Sequence, residues 1–269
     1  MLTGAAEWWL AYFVLGGFVG FFAGLLGIGG GLVIVPVLVF LFDAQHFPRE
    51  HVLHLALGTA MTTIVFTSLS SVRAHHYRQA VRWDVVRAMT PGILIGTLSG
   101  AAVAGALPRQ PLAVVFTIFV YYAAAQMWLN LKPKPSRQLP GWGGLLAAGA
   151  GIGAISSLVA GGGAFLTIPV LTWCNVDMRQ AVGTAAAAGL PIALAGAIGY
   201  TLVGLGKGPL PQYTLGFVYL PALIWLVLAS IMTAPLGARA AHNIPVSALK
   251  RIFSVFMFLL ATKMVVSLF

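Results

Sequence analysis

Residues 20–43 read GFFAGLLGIGGGLVIVPVLVFLFD, and residues 153–176 read GAISSLVAGGGAFLTIPVLTWCNV. Each lies inside an apolar block of more than 30 residues, 8–42 and 142–173. As one helix such a block would be about 46 Å or longer at 1.5 Å per residue, against a hydrocarbon core of about 30 Å. Each contains a glycine cluster, Gly27-Ile28-Gly29-Gly30-Gly31 and Gly161-Gly162-Gly163. Glycine costs about 1 kcal/mol relative to alanine in a helix interior, so three together predict a break. Each long block reads as two helical pieces joined by glycines.

The rest of the chain supports the same environment. Hydrophobic residues make up 59% of the 269 residues, charged residues 7%, and mean hydropathy is +0.95. A soluble domain carries roughly 25% charged residues on its surface. The composition therefore predicts an all-α polytopic membrane protein and excludes a soluble enzyme, a coiled coil or a disordered tail. Six further blocks, 52–72, 88–107, 112–131, 181–203, 214–236 and 252–269, have the length of one crossing. No Lys or Arg precedes the first apolar run, so no cleavable signal is expected. Trp8, Trp9, Trp83, Trp128 and Trp142 fall at block ends, as aromatic belts do.

The two halves resemble each other. At a constant offset Gly20, Leu25, Gly29, Gly30, Pro36, Val37 and Leu38 meet Gly153, Leu158, Gly162, Gly163, Pro169, Val170 and Leu171. Ala56, Gly58, Thr59 and Ala60 then meet Ala181, Gly183, Thr184 and Ala185, and Pro91 and Pro221 open the third blocks. The reading is two homologous repeats of about 130 residues, 1–131 and 142–269, joined by a polar, proline-rich linker at 132–141.

The net charge of +10 does not point to nucleic acid here, because Lys and Arg gather in cytoplasmic loops of membrane proteins. The charges instead decide between two topologies. If all eight blocks cross once, the repeats are parallel. One face then holds Arg73, Arg78, Arg82, Arg87, Lys132, Lys134, Arg137 and Lys207, and the other holds Arg49, Arg109, Arg179, Arg239, Lys250 and Arg251. That is almost no bias. If each long block turns back at its glycines, the halves are inverted. Arg179, Arg239, Lys250 and Arg251 then join the first group in place of Lys207, and only Arg49, Arg109 and Lys207 stay opposite. The positive-inside rule favours the second arrangement. It makes each repeat a glycine-broken helical hairpin plus three spanning helices, inverted relative to its partner, with both termini outside.

The acids are only Glu7, Asp43, Glu50, Asp84 and Asp177, and none lies mid-way along a long apolar run. A cation pathway or proton relay ordinarily needs an intramembrane acid, so an anionic or neutral substrate is favoured. A break ahead of a helix presents free amides and the positive end of the helix dipole, which suit an anion. The candidate substrate contacts are Gly29, Gly30, Gly31, Gly161, Gly162 and Gly163, with the hydroxyls of Thr59, Thr184, Ser156 and Ser157. Packing of glycines and back-bonding of hydroxyls to their own helix are the competing readings, and packing is favoured for Gly16, Gly20 and Gly24. His51 and His54 share a helix face without further ligands at metal spacing. Cys174 stands alone. No cofactor or metal is called for, and no Walker A sequence is present. An intramembrane enzyme would need a base for Ser156 or Ser157, and none can be matched.

The Gly-Ile-Gly-Gly-Gly-Leu-Val-Ile-Val-Pro run resembles the first-repeat signature of the TauE/SafE family of sulfite exporter-like permeases. The Ala-Gly-Gly-Gly-Ala-Phe-Leu-Thr-Ile-Pro run, with Ala-Val-Gly-Thr downstream, is similar to its second. Arg82-Trp83-Asp84, Pro235-Leu236-Gly237-Ala238-Arg239 and Leu249-Lys250-Arg251-Ile252-Phe253 fit as well, so the likeness runs from about 12 to 266. It implies a multi-pass permease of the cell inner membrane that exports sulfite or a small organosulfonate. The partners expected are that small anion and the lipid bilayer. The oligomeric state, a homodimer included, stays open.

Overall fold

The computed structural model describes residues 2–26, 30–129, 136–240 and 246–266. Its helices, in chain order, are α1 (Leu2–Leu26), α2 (Gly31–Ala44), α3 (Val52–Tyr77), α4 (Trp83–Ala106), α5 (Arg109–Leu129), α6 (Trp142–Val159), α7 (Ala164–Trp173) and α8 (Met178–Gly204). A short hairpin of β1 (Thr214–Leu215) and β2 (Val218–Tyr219) follows, then α9 (Leu220–Ala240) and α10 (Val246–Val266). Among the described residues, 6 helices are long and apolar enough to cross a membrane. The chain is an all-α multi-pass membrane protein. The two long apolar blocks break where glycines predict it, between α1 and α2 and between α6 and α7. The prolines Pro91 and Pro221 do not hold like places, since Pro91 is the ninth residue of α4 and Pro221 the second of α9.

Both broken blocks turn back on themselves. The Tyr12 hydroxyl, in the first half of α1, accepts from Gln45 just past α2, and Tyr12 stacks edge-on against Phe42. In the second block, the amides of Ser136 and Arg137, ahead of α6, both donate to the Trp173 carbonyl at the end of α7 (3.2 Å each). The Trp173 indole donates to the Ser136 hydroxyl (2.7 Å), and the Arg137 guanidinium lies over its ring. Each hairpin thus ends on the face where it began.

Contacts between loops then assign the faces. Arg109 at the start of α5 pairs with Asp43 at the end of α2 (3.1 Å), and Gly208 lies beside His51. Arg179, in α8's first turn, donates to the Arg78 carbonyl past α3 (2.7 Å). Arg49, Arg109 and Lys207 therefore share one face, and Arg78, Arg82, Arg137 and Arg179 the other. The parallel arrangement would have put Arg179 opposite Arg78. Lys132 and Lys134 lie outside the described residues.

Helix pairing crosses between the halves. α1 packs along α9 and α6 along α4, and glycines make both approaches possible. A Cβ on Gly16, Gly20 or Gly24 would run into the backbone of Leu226, Ser230 or Ala234. On the other pair, Gly149 and Gly153 meet the carbonyls of Met89 and Ile93, while Gly92 and Gly96 meet those of Leu146 and Ala150. This is small-residue packing, in which dispersion between close backbones replaces the hydrophobic drive that lipid does not supply. α3 and α8 lie against each other at the centre, with Leu53, Leu57, Ala185 and Ile192 fully buried. Trp9, Trp83, Trp128 and Trp142 are exposed at the helix ends.

Two neighbouring glycines should therefore respond in opposite ways. A Cβ on Gly17 would make only an ordinary contact, 3.7 Å from Thr233 Cγ2, so Gly17→Ala should stabilise by about 1 kcal/mol through helix propensity. Gly20→Ala should lower the melting temperature of the detergent-purified protein, because it separates α1 from α9. A thermal melt of both variants checks the pair.

Candidate functional site

The breaks are built alike. Gly30 caps α2 at φ 69° and Gly163 caps α7 at φ 77°, both in the left-handed region that an L side chain rarely enters. The Gly30 carbonyl accepts from Val33 and Ile34 (3.1 and 3.2 Å), and the Gly163 carbonyl from Leu166 and Thr167 (3.1 and 2.8 Å). The first amides of α2 and α7, at Gly31 and Leu32 and at Ala164 and Phe165, have no intrahelical acceptor by the geometry of a helix start. The positive ends of both helix dipoles therefore lie in the interior.

The breaks touch. A Cβ on Gly31 would collide with the Ala160 carbonyl and approach Ile64 Cδ1. One on Gly189 of α8 would lie 2.9 Å from the Gly162 carbonyl. Gly30, Gly31, Gly161, Gly162 and Gly163 thus form one locus, all five buried, with Ile64 of α3 and Gly189 of α8 against it. Gly29 lies outside the described residues.

The hydroxyls divide into two groups. Thr59 and Thr184 are fully buried, and their oxygens are spent elsewhere. Thr59 Oγ1 accepts from the Tyr219 amide (3.0 Å), just ahead of α9. Thr184 Oγ1 accepts from the Arg82 amide (3.0 Å), just ahead of α4. Beside each, the neighbouring glycine makes room: Gly58 for the Phe217 carbonyl and Gly183 for the Ala80 carbonyl. The Gly-Thr pairs dock the beginnings of α9 and α4 at opposite faces. The structure does not bring them together at the breaks. Ser157 donates to the Ala154 carbonyl (2.8 Å), and its own carbonyl accepts from Tyr200 (2.9 Å).

Ser156 is different. Its hydroxyl is 1% exposed and has no hydrogen-bond partner. Thr167, one turn into α7, is fully buried and equally unpartnered. A Cβ on Gly163 would lie 3.7 Å from its hydroxyl oxygen, so Thr167 faces the cap of its own helix. The sequence reading missed Thr167. Its signal was its place four residues past Gly163, where a hydroxyl can reach a helix start.

A polar cavity of about 370 Å³ opens at the Arg49 face, lined by Asp43, His46, Phe47, Arg49 and Arg109. The Asp43–Arg109 pair ties the end of α2 to α5 there. Nearby, His54 is buried, donates through Nε2 to the Ala104 carbonyl in the tautomer that bond requires (3.0 Å), and stacks on Phe217. Phe42, Phe47 and Tyr219 cluster at the same face, where burial pushes the Tyr219 phenol above its usual range. Among the described residues, no group of three His, Cys, Asp or Glu is placed to hold a metal ion.

The family model described as Sulfite exporter TauE/SafE matches residues 12–264. A probable membrane transporter protein of Haemophilus influenzae is 35% identical over 253 residues, which are 93% of this chain and 96% of that protein. Similar proteins described in the same words come from Bacillus subtilis, 26% identical over 90% of this chain and 92% of its own length, and from Methanocaldococcus jannaschii, 24% identical over 86% and 85%. No solved structure matches the chain.

The docking role of the threonines is testable without a substrate. Thr59→Val and Thr184→Val each orphan a backbone amide that the hydroxyl now satisfies. Each should cost about 1–3 kcal/mol of stability, read as a lower melting temperature. The two losses should add, because the sites lie at opposite faces.

Proposed function

The chain belongs to the sulfite exporter TauE/SafE family, and on that premise we propose that this membrane permease exports a small anion, sulfite or an organosulfonate, through the paired glycine breaks. The observation that carries the proposal is the meeting of Gly31 with the Ala160 carbonyl. It joins two helix starts whose free amides can hold an oxyanion with no charged side chain. Gly30, Gly31, Gly161, Gly162 and Gly163 supply the backbone, and Ser156 supplies a hydroxyl. The family and its relatives' descriptions favour transport over an intramembrane reaction.

The proposal includes two inverted repeats. Gly16 and Gly149, and Gly20 and Gly153, stand 133 residues apart and make like contacts. Their targets, Met89 and Leu226, and Ile93 and Ser230, stand 137 apart. So do Arg82 and Tyr219, the amides bonded by Thr184 and Thr59. Each repeat lends its first helix to the other's fourth. The face carrying Arg78, Arg82, Arg137 and Arg179 is assigned to the cytoplasm by the positive-inside rule, within an inner membrane.

Direction follows from charge. Moving one charge through 100 mV is worth about 2.3 kcal/mol, so a negative interior drives an anion outward without a proton or sodium partner. Sulfite or methanesulfonate efflux from liposomes holding the purified protein should follow an imposed potential. Efflux that ignores the potential and tracks only a proton gradient would sink this mechanism. Gly30→Leu and Gly163→Leu should abolish efflux in protein that still inserts, and full activity in both would move the site elsewhere. A reporter fused after Phe269 should signal only outside the cytoplasm.

A further inference from the structure

The two breaks are unequal in polarity. At the spacing that aligns Gly30 with Gly163, Ser156 corresponds to Ala23 and Thr167 to Ile34. The first break is faced by Val19 and Ile64. The second has two hydroxyls, buried to 1% or less and without partners, and Thr167 is directed at the Gly163 cap. A buried polar group left unpaired costs about 1–3 kcal/mol. Two within one broken hairpin, beside an α-helix start of 10 residues, are groups that a ligand satisfies.

Among the elements packed on the broken hairpins, α10 brings Lys263, but its ammonium lies over the Phe40 ring (4.3 Å), nine residues along α2 from Gly31. Residues 8–42, 55–72, 142–173 and 180–204 contain no Lys, Arg, His, Asp or Glu. These stretches cover both broken hairpins and the parts of α3 and α8 that pack on them. The donors are therefore all neutral: backbone amides and hydroxyls. The cost of taking an ion out of water rises with the square of its charge, so a dianion costs about four times as much as a monoanion of the same size. The gain from neutral donors rises only in proportion to charge. A site without a counter-charge holds the monoanion.

We propose that Thr167 and Ser156, with the first amides of α7, bind the substrate asymmetrically at the second break, and that the site selects singly charged oxyanions over doubly charged ones. The selectivity rests on the reading of the breaks as the anion site. The substrate class is then a sulfonate, or sulfite in its singly protonated form, and sulfate is excluded by charge although its shape is close.

The test uses the purified full-length protein in liposomes, with methanesulfonate, sulfate and sulfite as probes. Methanesulfonate should be moved and sulfate moved at least about a hundredfold more slowly at equal concentration. The apparent affinity for total sulfite should fall about tenfold per pH unit above its second ionisation, while that for methanesulfonate stays level. Sulfate moved as well as methanesulfonate would overturn the charge selectivity and leave the anion permease standing. If none of the three is moved by protein that melts cooperatively, the permease reading itself falls, and the selectivity with it. Thr167→Val should weaken methanesulfonate about tenfold while raising the melting temperature, since it removes an unsatisfied hydroxyl. Thr172→Val should leave transport unchanged, because that hydroxyl is spent on the Ile168 carbonyl (2.9 Å). Unaltered methanesulfonate transport in Thr167→Val would overturn the placement at the second break.

Discussion

A backbone that leaves the helix at membrane depth must be covered by protein, because lipid offers nothing to its amides and carbonyls. Two such departures occur in this chain, and they lie against each other. The Ala160 carbonyl occupies the space that Gly31 leaves by having no side chain, and the Gly162 carbonyl lies over Gly189. α3 packs on α2 and α8 on α7, and Phe119 of α5 lies against Gly161. The rest of the architecture can be understood as holding this junction in place. The hairpins must return to their own faces for the breaks to meet, and the long helices must come close enough to seal them.

Close approach is obtained by omission of side chains. Along α1, glycines at every fourth position expose the helix to the backbone of α9, and α6 does the same against α4. Since lipid tails are as apolar as leucine, burying leucine between helices gains little in a bilayer, whereas backbone contact gains dispersion over a long seam. The Gly-Thr pairs extend this economy to polar groups. Gly58 and Gly183 admit a carbonyl, and Thr59 and Thr184 accept the amide two residues further on. One dipeptide thus joins α3 to the start of α9, and α8 to the start of α4. The chain is interlocked across its midpoint, so neither half has its own complete set of neighbours.

Polar groups are otherwise sparse in the interior, which makes the unpaired ones informative. Thr63, Thr67, Ser68, Ser157 and Thr172 all return their hydroxyls to carbonyls three or four residues back. Thr97, Thr117, Ser156 and Thr167 do not. In a helix such back-bonding is the default resolution for a buried hydroxyl. Thr97 belongs to α4 and Thr117 to α5, whereas Ser156 and Thr167 share one broken hairpin and Thr167 faces its glycine cap.

Much of this was legible in the residues alone. An apolar block too long for one crossing, interrupted by Gly-Gly-Gly, can only be broken, because propensity and bilayer thickness both act locally. Composition settled the membrane environment, and the small-residue spacing in α1 marked a packing face. The arginine distribution favoured one of two topologies, because charge is sorted by side of the membrane rather than by fold. What the residues could not determine was the use of each polar group. Thr59, Thr184 and Ser156 look alike as isolated hydroxyls beside small residues. Which of them has a partner depends on amides brought 102 and 160 residues along the chain. The same limit applies to Pro91 and Pro221, whose shared identity suggested equivalent places. Which backbone each glycine touches is a property of helices packed across the two halves, and a shared residue type does not carry it.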